Sequence, residues 1–271
     1  MKYLRNFLKG MIIGIATLVP GVSGGTMAVI LGIYDDLIHA ISSFFEDWKK
    51  HTLLLLELGL GALLSVVLFS HLLENAIIKF PFTMQFLFMG IIIGGLPVLY
   101  RKCTSVGESG LMDYIFLFIG FITILLMAPD PEMSTNIATS QGLLGMLYLF
   151  IAGIVIAVAF ILPGISGSFM LLTLGLYGMT LNAIQLDNIN IPFLIPLVLG
   201  VAFGILAATK IIEKLLQKYP RNTYMLIMGF VLGSLIAVYP GIPTKLETTP
   251  SIVAFIIGFI AILLMSKSER D

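Results

Sequence analysis

Two short polar stretches hold the residue types that could take an anion. They are Pro20-Gly21-Val22-Ser23-Gly24-Gly25-Thr26 and Pro163-Gly164-Ile165-Ser166-Gly167-Ser168, each set between apolar segments. Proline ends an incoming helix. Glycine lets the backbone turn tightly and approach a ligand. Serine and threonine suit the cap of an outgoing helix, whose first turn offers unpaired N–H groups and a partial positive charge. Such an end favours phosphate or carboxylate. The candidate phosphate-binding residues are therefore Gly21, Ser23, Gly24, Gly25 and Thr26 in the first stretch, and Gly164, Ser166, Gly167 and Ser168 in the second. Neither stretch holds a basic residue, and no lysine or arginine is expected deep in an apolar span. The competing reading is that Pro-Gly makes only a tight turn between packed arms. For a single copy the two readings balance; the second copy favours a site.

Ionisable residues inside apolar sequence are the next candidates, because an intramembrane carboxylate is costly and is usually kept for function. Glu57 lies in Leu-Leu-Leu-Leu-Glu-Leu-Gly, and Asp35 and Asp36 follow Tyr34. We take Glu57, Asp35 and Asp36 as candidates for coupling to a driving ion, protons or Na+. The plainer alternatives are a residue near the membrane edge for Glu57 and an interface marker for the aspartates. Glu74 and Glu213, at helix ends beside basic residues, read as ion-pairing positions. The single cysteine, Cys103, excludes an intrachain disulfide, and His39, His51 and His71 lack metal-ligand spacing. No metal, cofactor or catalytic residue is expected, and no nucleic-acid partner.

The elements that position these residues follow from composition. Of 271 residues, 58% are hydrophobic and only 11% charged, against roughly 25% charged in soluble domains. The apolar runs are long and continuous, so the expectation is an all-α integral membrane protein rather than a barrel. The basic start and the apolar run to Val19 look like a signal sequence. However, no A-x-A-like site precedes Pro20 and the segment recurs in mid-chain, so it is expected to stay in the fold.

The chain reads as a tandem duplication. Advancing by 143 residues takes Gly10, Pro20, Gly21, Ser23, Gly24, Gly32 and Tyr34 onto Gly153, Pro163, Gly164, Ser166, Gly167, Gly175 and Tyr177. Advancing by 139 takes Gly61, Glu74, Pro81, Gly90 and Tyr100 onto Gly200, Glu213, Pro220, Gly229 and Tyr239, and advancing by 138 takes Gly120 onto Gly258. Repeat 1 covers 1–128, with a helical hairpin at 4–41 and spans at 52–73, 82–100 and 111–128. A linker at 129–141, expected outside the cell, leads to repeat 2 at 142–271. Its hairpin is 143–185 and its spans are 192–212, 223–239 and 251–265. Each span approaches the ~20 residues that cross ~30 Å of hydrocarbon.

Charge placement decides how the hairpins sit. If each hairpin enters and leaves on one face and both termini are cytoplasmic, every one of the 15 basic residues except Lys79 and Lys245 lies on the cytoplasmic side. Counting each hairpin as one crossing moves Lys49, Lys50, Arg101 and Lys102 outside. A re-entrant hairpin plus three spans is an odd number of crossings, so the expected fold is two inverted-topology repeats, each a re-entrant helical hairpin followed by three transmembrane helices. That is the plan of secondary transporters, with the broken segments meeting near the midplane.

The doubled motif, with the preceding Gly10-x-x-x-Gly14 and the following Met27-Ala28, resembles the bacterial PopT-type polyprenyl-phosphate transporters, a family formerly known only as a membrane domain of unknown function. The resemblance covers essentially the whole chain. It implies a multi-pass protein of the bacterial cytoplasmic membrane that returns undecaprenyl phosphate from the outer to the inner leaflet, recycling the lipid carrier for peptidoglycan and other envelope polymers. Two alternatives remain open. One is an intramembrane polyprenyl-pyrophosphate phosphatase, against which stands the absence of arginine and glutamate from Pro20–Thr26. The other is a secondary transporter of a small soluble anion.

Overall fold

Apolar runs of this length satisfy their backbone polar groups in lipid by coiling into helices. The computed structural model describes residues 2–18, 22–105, 110–126, 142–183 and 189–268, and among these it holds helices and no strand. In the first half these are α1 (Lys2–Thr17), α2 (Gly24–Ile30), α3 (Tyr34–Ser42), α4 (Trp48–Lys79), α5 (Pro81–Thr104) and α6 (Leu111–Leu126). In the second half α7 (Leu143–Ile161), α8 (Gly167–Thr173), α9 (Tyr177–Ala183), α10 (Ile191–Lys218), α11 (Pro220–Val238) and α12 (Lys245–Ser268) follow in the same order. Five helices, α4, α5, α7, α10 and α12, are long and apolar enough to cross a membrane, and the bent pair α2–α3 would add a sixth. The chain is thus a multi-pass membrane protein. Exposed leucine, isoleucine and valine on α4, α7, α10 and α12 form its lipid-facing surface.

Helix packing follows the duplication. In each half the first helix packs against the first long span, α1 on α4 and α7 on α10. The last helices are exchanged: α6 packs on α11 and α12 packs on α5, while α5 and α11 meet each other between them. Glycine sets the closeness of all four crossings, as small residues do where helices meet in lipid. A Cβ at Gly61 would stand 2.1 Å from the Phe7 carbonyl oxygen, and one at its counterpart Gly200 would stand 2.0 Å from that of Phe150. Gly90 against Phe255 and Gly229 against Leu117 repeat the pattern, each at 2.1 Å. Residues matched by sequence arithmetic therefore do the same packing job twice.

The arm that leaves each polar stretch, read from the sequence as one helix-compatible segment, is two short helices. α2 and α3 meet at 119°. The cause is a Schellman motif: Gly32 (φ 64°) sits just past α2, its N–H donates to the Val29 carbonyl, and the Ile33 N–H donates to that of Ala28. Gly175 (φ 65°) repeats this after α8, with donations from its own N–H to Leu172 and from Leu176 to Leu171. Both glycines take the left-handed backbone that other residues avoid.

The core is built on the first return arm. Met27, Ala28, Val29 and Ile30 of α2 are at most 3% exposed, enclosed with Ile92 and Leu99 of α5 and Ile227 and Val231 of α11. The second return arm is open on one side, with Leu172, Tyr177 and Leu181 each more than a third exposed. The two arms match in sequence and differ in cover.

Candidate functional site

Of the first stretch, Pro20 and Gly21 lie outside the described residues. Ser23 caps α2: its Oγ accepts from the Thr26 N–H at 3.1 Å and shares a 2.8 Å hydrogen bond with Thr26 Oγ1. The same two oxygens receive a donor from the other half of the chain. The Gly164 N–H donates to Ser23 Oγ at 3.0 Å and to Thr26 Oγ1 at 2.8 Å. Gly25 packs against the second stretch, where a Cβ would meet the Ile161 carbonyl oxygen at 3.0 Å and the Pro163 nitrogen at 3.2 Å. Tyr34 adds a 3.3 Å hydrogen bond from its hydroxyl to the Ile161 carbonyl. The two polar stretches therefore touch, and Ser23 and Thr26, 5% and 2% exposed, are spent on holding them together. Gly24 meets only the Thr17 and Ile13 methyls.

The second stretch is the accessible one. Ser166 makes no cap; its hydroxyl pairs with that of Ser168 at 2.8 Å. Both face a cavity of about 150 Å³, with Gly164 and Phe169 of the same stretch, Gln85 of α5 and Ser234 of α11 also in its wall. Gly164 (φ 90°) lies so close to α11 that a Cβ would come within 2.5 Å of the Phe230 carbonyl carbon. Gly167 sits against the Phe160 ring. Ile124, Ile165, Leu172 and Val238 complete a largely apolar wall in which the Ser166 and Ser168 hydroxyls and the Gln85 amide are neutral groups able to hydrogen-bond an oxyanion. Gln85 and Ser234 were not singled out from the sequence. Gln85 falls on Tyr224 at an advance of 139, a mismatch, so the duplication gave no signal for it.

The three carboxylates split between two places. Asp35 takes the Lys102 ammonium at 2.7 Å and the Tyr224 hydroxyl, joining α3, α5 and α11. Asp36, one residue on and so about 100° round the helix, lines a second, larger cavity together with Glu57. Glu57 accepts from the Asn6 side-chain amide at 2.7 Å, which makes it a hydrogen-bonding partner between α1 and α4. Among the described residues, none of the three hydrogen-bonds to the polar stretches. Glu213 ends in a cluster with His39 at 2.5 Å and the Ser42 hydroxyl, as its helix-end position suggested.

Two basic residues are enclosed within the protein, one in the first hairpin and one at the start of α11. Lys9 of α1 is 5% exposed and donates to the Leu31 carbonyl at 2.8 Å, capping the end of α2. Tyr148 does the same for the counterpart carbonyl, Leu174, at 3.3 Å. Arg221 of α11 pairs with Asp113 of α6 at 2.6 Å, and their side chains are 13% and 4% exposed. Among the described residues no three or more His, Cys, Asp or Glu side chains gather as a metal site.

Comparison with known proteins places this geometry in context. Residues 13–254 match the family model described as VCA0040-like, undecaprenyl phosphate translocase-like. A polyprenyl-phosphate transporter of Staphylococcus aureus (strain NCTC 8325 / PS 47) is 38% identical over 278 residues, covering 98% of this chain and 97% of the relative. A polyprenyl-phosphate transporter of Vibrio cholerae serotype O1 (strain ATCC 39315 / El Tor Inaba N16961) is 32% identical over 254 residues, covering 89% and 79%. No solved structure matches the chain. These are names of transporters and not of enzymes.

Proposed function

This chain belongs to the undecaprenyl phosphate translocase-like family, and from that premise we propose that it carries a polyprenyl phosphate across the bacterial cytoplasmic membrane. The substrate is undecaprenyl phosphate, moved from the outer to the inner leaflet so that the carrier lipid returns to envelope synthesis. Both named relatives are polyprenyl-phosphate transporters, which supports the substrate class. The direction, the driving ion and the cytoplasmic placing of both termini are part of this reading.

One observation carries the mechanism: the two polar stretches touch, and among the described residues Ser23 and Thr26 are buried whereas Ser166 and Ser168 are accessible. Ser23 and Thr26 are closed over the Gly164 N–H, while Ser166 and Ser168 face a cavity. In two repeats of inverted topology, a closed half and an open half are the two ends of one alternating-access cycle. The phosphate sits at Ser166 and Ser168 in the state described, and the first stretch opens in the other. The hydroxyl pair and the cavity carry this assignment; α8, with seven residues, has too short a dipole to carry it alone. A cavity of about 150 Å³ holds a phosphate and excludes a long prenyl chain. The chain therefore stays in lipid while the headgroup passes through protein. Asp36 and Glu57 are the coupling candidates, for protons or Na+.

The test is transport of labelled undecaprenyl phosphate in proteoliposomes with a leaflet-specific readout. Replacing Ser166 and Ser168 together by alanine should lower the rate at least tenfold, with elution and thermal stability unchanged. Wild-type transport by that variant would refute the assignment. Full competition by inorganic phosphate would instead identify a small-anion carrier.

A further inference from the structure

The larger cavity, about 460 Å³, lies between α1, the bend after α2, α3 and α4. Three cations from two helices line it: Arg5 and Lys9 of α1 and Lys50 of α4. Asp36 and Glu57 are the carboxylates in the wall. The Glu57 carboxylate accepts from Asn6, and the Lys9 ammonium donates to the Leu31 carbonyl, so both are fixed in direction by protein contacts. Three cations against two carboxylates surround one space, and like charges gathered in a partly desolvated cleft raise its affinity for an anion. The space is several times that of the cavity at Ser166.

One edge of this cavity is apolar and faces lipid. Leu53 lines it and is 47% exposed. Leu56, Leu60 and Leu63 continue the exposed face of α4 at helical spacing, each more than half exposed. A cationic pocket opening onto a lipid-facing leucine track matches a ligand with an anionic head and a long apolar tail. We propose that this cavity is a second headgroup station, taking the phosphomonoester of a polyprenyl phosphate between Arg5, Lys9 and Lys50 while its chain lies along α4. It is separate from the hydroxyl-lined cavity, and it rests on the proposed function only for the identity of the lipid. The chemistry recognised, a phosphomonoester dianion, is shared with inorganic phosphate.

The chain supplies its own reporter. Trp48 is the single tryptophan and opens α4 two residues before Lys50. The purified full chain in nanodiscs is titrated with a short-chain polyprenyl monophosphate, with the matching alcohol and with inorganic phosphate. Trp48 emission reads the site locally, and equilibrium binding of labelled lipid gives the affinity. The monophosphate should shift the emission saturably and the alcohol should not. Arg5→Gln and Lys50→Gln should each weaken binding roughly tenfold, as loss of a charged hydrogen-bond partner does, and Lys50→Arg should restore most of it. Both residues are exposed, so these variants are expected to fold, and thermal unfolding verifies it. Wild-type affinity in both glutamine variants, or no saturable Trp48 response, overturns the station. Inorganic phosphate binding as tightly as the lipid overturns its lipid assignment and leaves a free-phosphate site. Because transport by the Ser166 and Ser168 variant is a separate measurement, failure here and failure of the proposed function are told apart.

Discussion

Thr26→Val tests how the two polar stretches are joined. The change keeps the shape of the side chain and removes one of the two oxygens that accept from the Gly164 N–H. That N–H is buried, and Ser23 Oγ remains within 3.0 Å. The single variant removes two neutral hydrogen bonds, to the Gly164 N–H and to Ser23 Oγ, and should cost about 1–3 kcal/mol. Ser23→Ala removes the other acceptor and the cap of α2, for roughly 1–2 kcal/mol. With both changes the Gly164 N–H has lost both acceptors, and an unsatisfied buried donor costs about 1–3 kcal/mol. Each single variant also loses the Ser23–Thr26 hydroxyl pair, which the double loses only once, so the coupling is the stranding cost of the N–H less about 0.5–1.5 kcal/mol. Unfolding of the four proteins in mixed micelles, followed by far-UV circular dichroism against a rising SDS fraction, measures the cycle. Single variants that each cost less than about 0.5 kcal/mol would refute the claim that these hydroxyls hold the stretches together.

Three further outcomes are expected. Gly61→Val and Gly200→Val should each destabilise by roughly 1–3 kcal/mol or more through overpacking, because the new Cβ would meet a backbone oxygen at 2.1 and 2.0 Å. Gly59→Val on the same helix as Gly61 meets nothing within 4 Å and should be near neutral, so equal losses at 59 and 61 would sink the crossing argument. Arg221→Gln should cost about 3–5 kcal/mol by stranding the Asp113 carboxylate, while Asp113→Leu with Arg221→Met should recover most of it; thermal unfolding in detergent decides between them. Cys103, 0% exposed, should resist maleimide in the folded protein and react once SDS unfolds it.

The duplication was readable because it rests on glycine and proline, whose identities are dictated by backbone geometry. Gly61 and Gly200, or Gly90 and Gly229, match in sequence because the same helix crossings recur. Gly32 and Gly175 were matched too, but their meaning was missed: within an apolar run a single glycine does not announce a Schellman turn, since hydropathy is continuous across it. The polar stretches were recognised as a pair, whereas the division of labour between them was not. Both serines stand three residues before a backbone N–H they could cap; Ser23 accepts from that of Thr26, whereas Ser166 pairs with the Ser168 hydroxyl instead. Asp35 and Asp36 read alike as neighbours and serve different surfaces, because adjacent helical residues diverge by about 100°. Lys9 enters the charge pattern only as one of the basic residues on the cytoplasmic side. Its burial depends on Leu31, 22 residues away, whose carbonyl is freed only by the turn at Gly32.

The exchange of the last helices bears on how the protein is made. α6 is synthesised with the first half, but its partner α11 lies in the second. Asp113 is 108 residues upstream of the arginine that neutralises it. At about 5–20 residues per second, the ribosome takes on the order of 5–20 s to supply that partner. During this interval a sixteen-residue helix carrying a carboxylate lacks its main packing partner. The first half is therefore not a finished unit when it leaves the translocon, and α6 depends on an insertase or on the interface until α11 arrives. A chain arrested before Pro220 should leave α6 accessible to protease or to alkaline extraction, and one arrested after α11 has emerged should not.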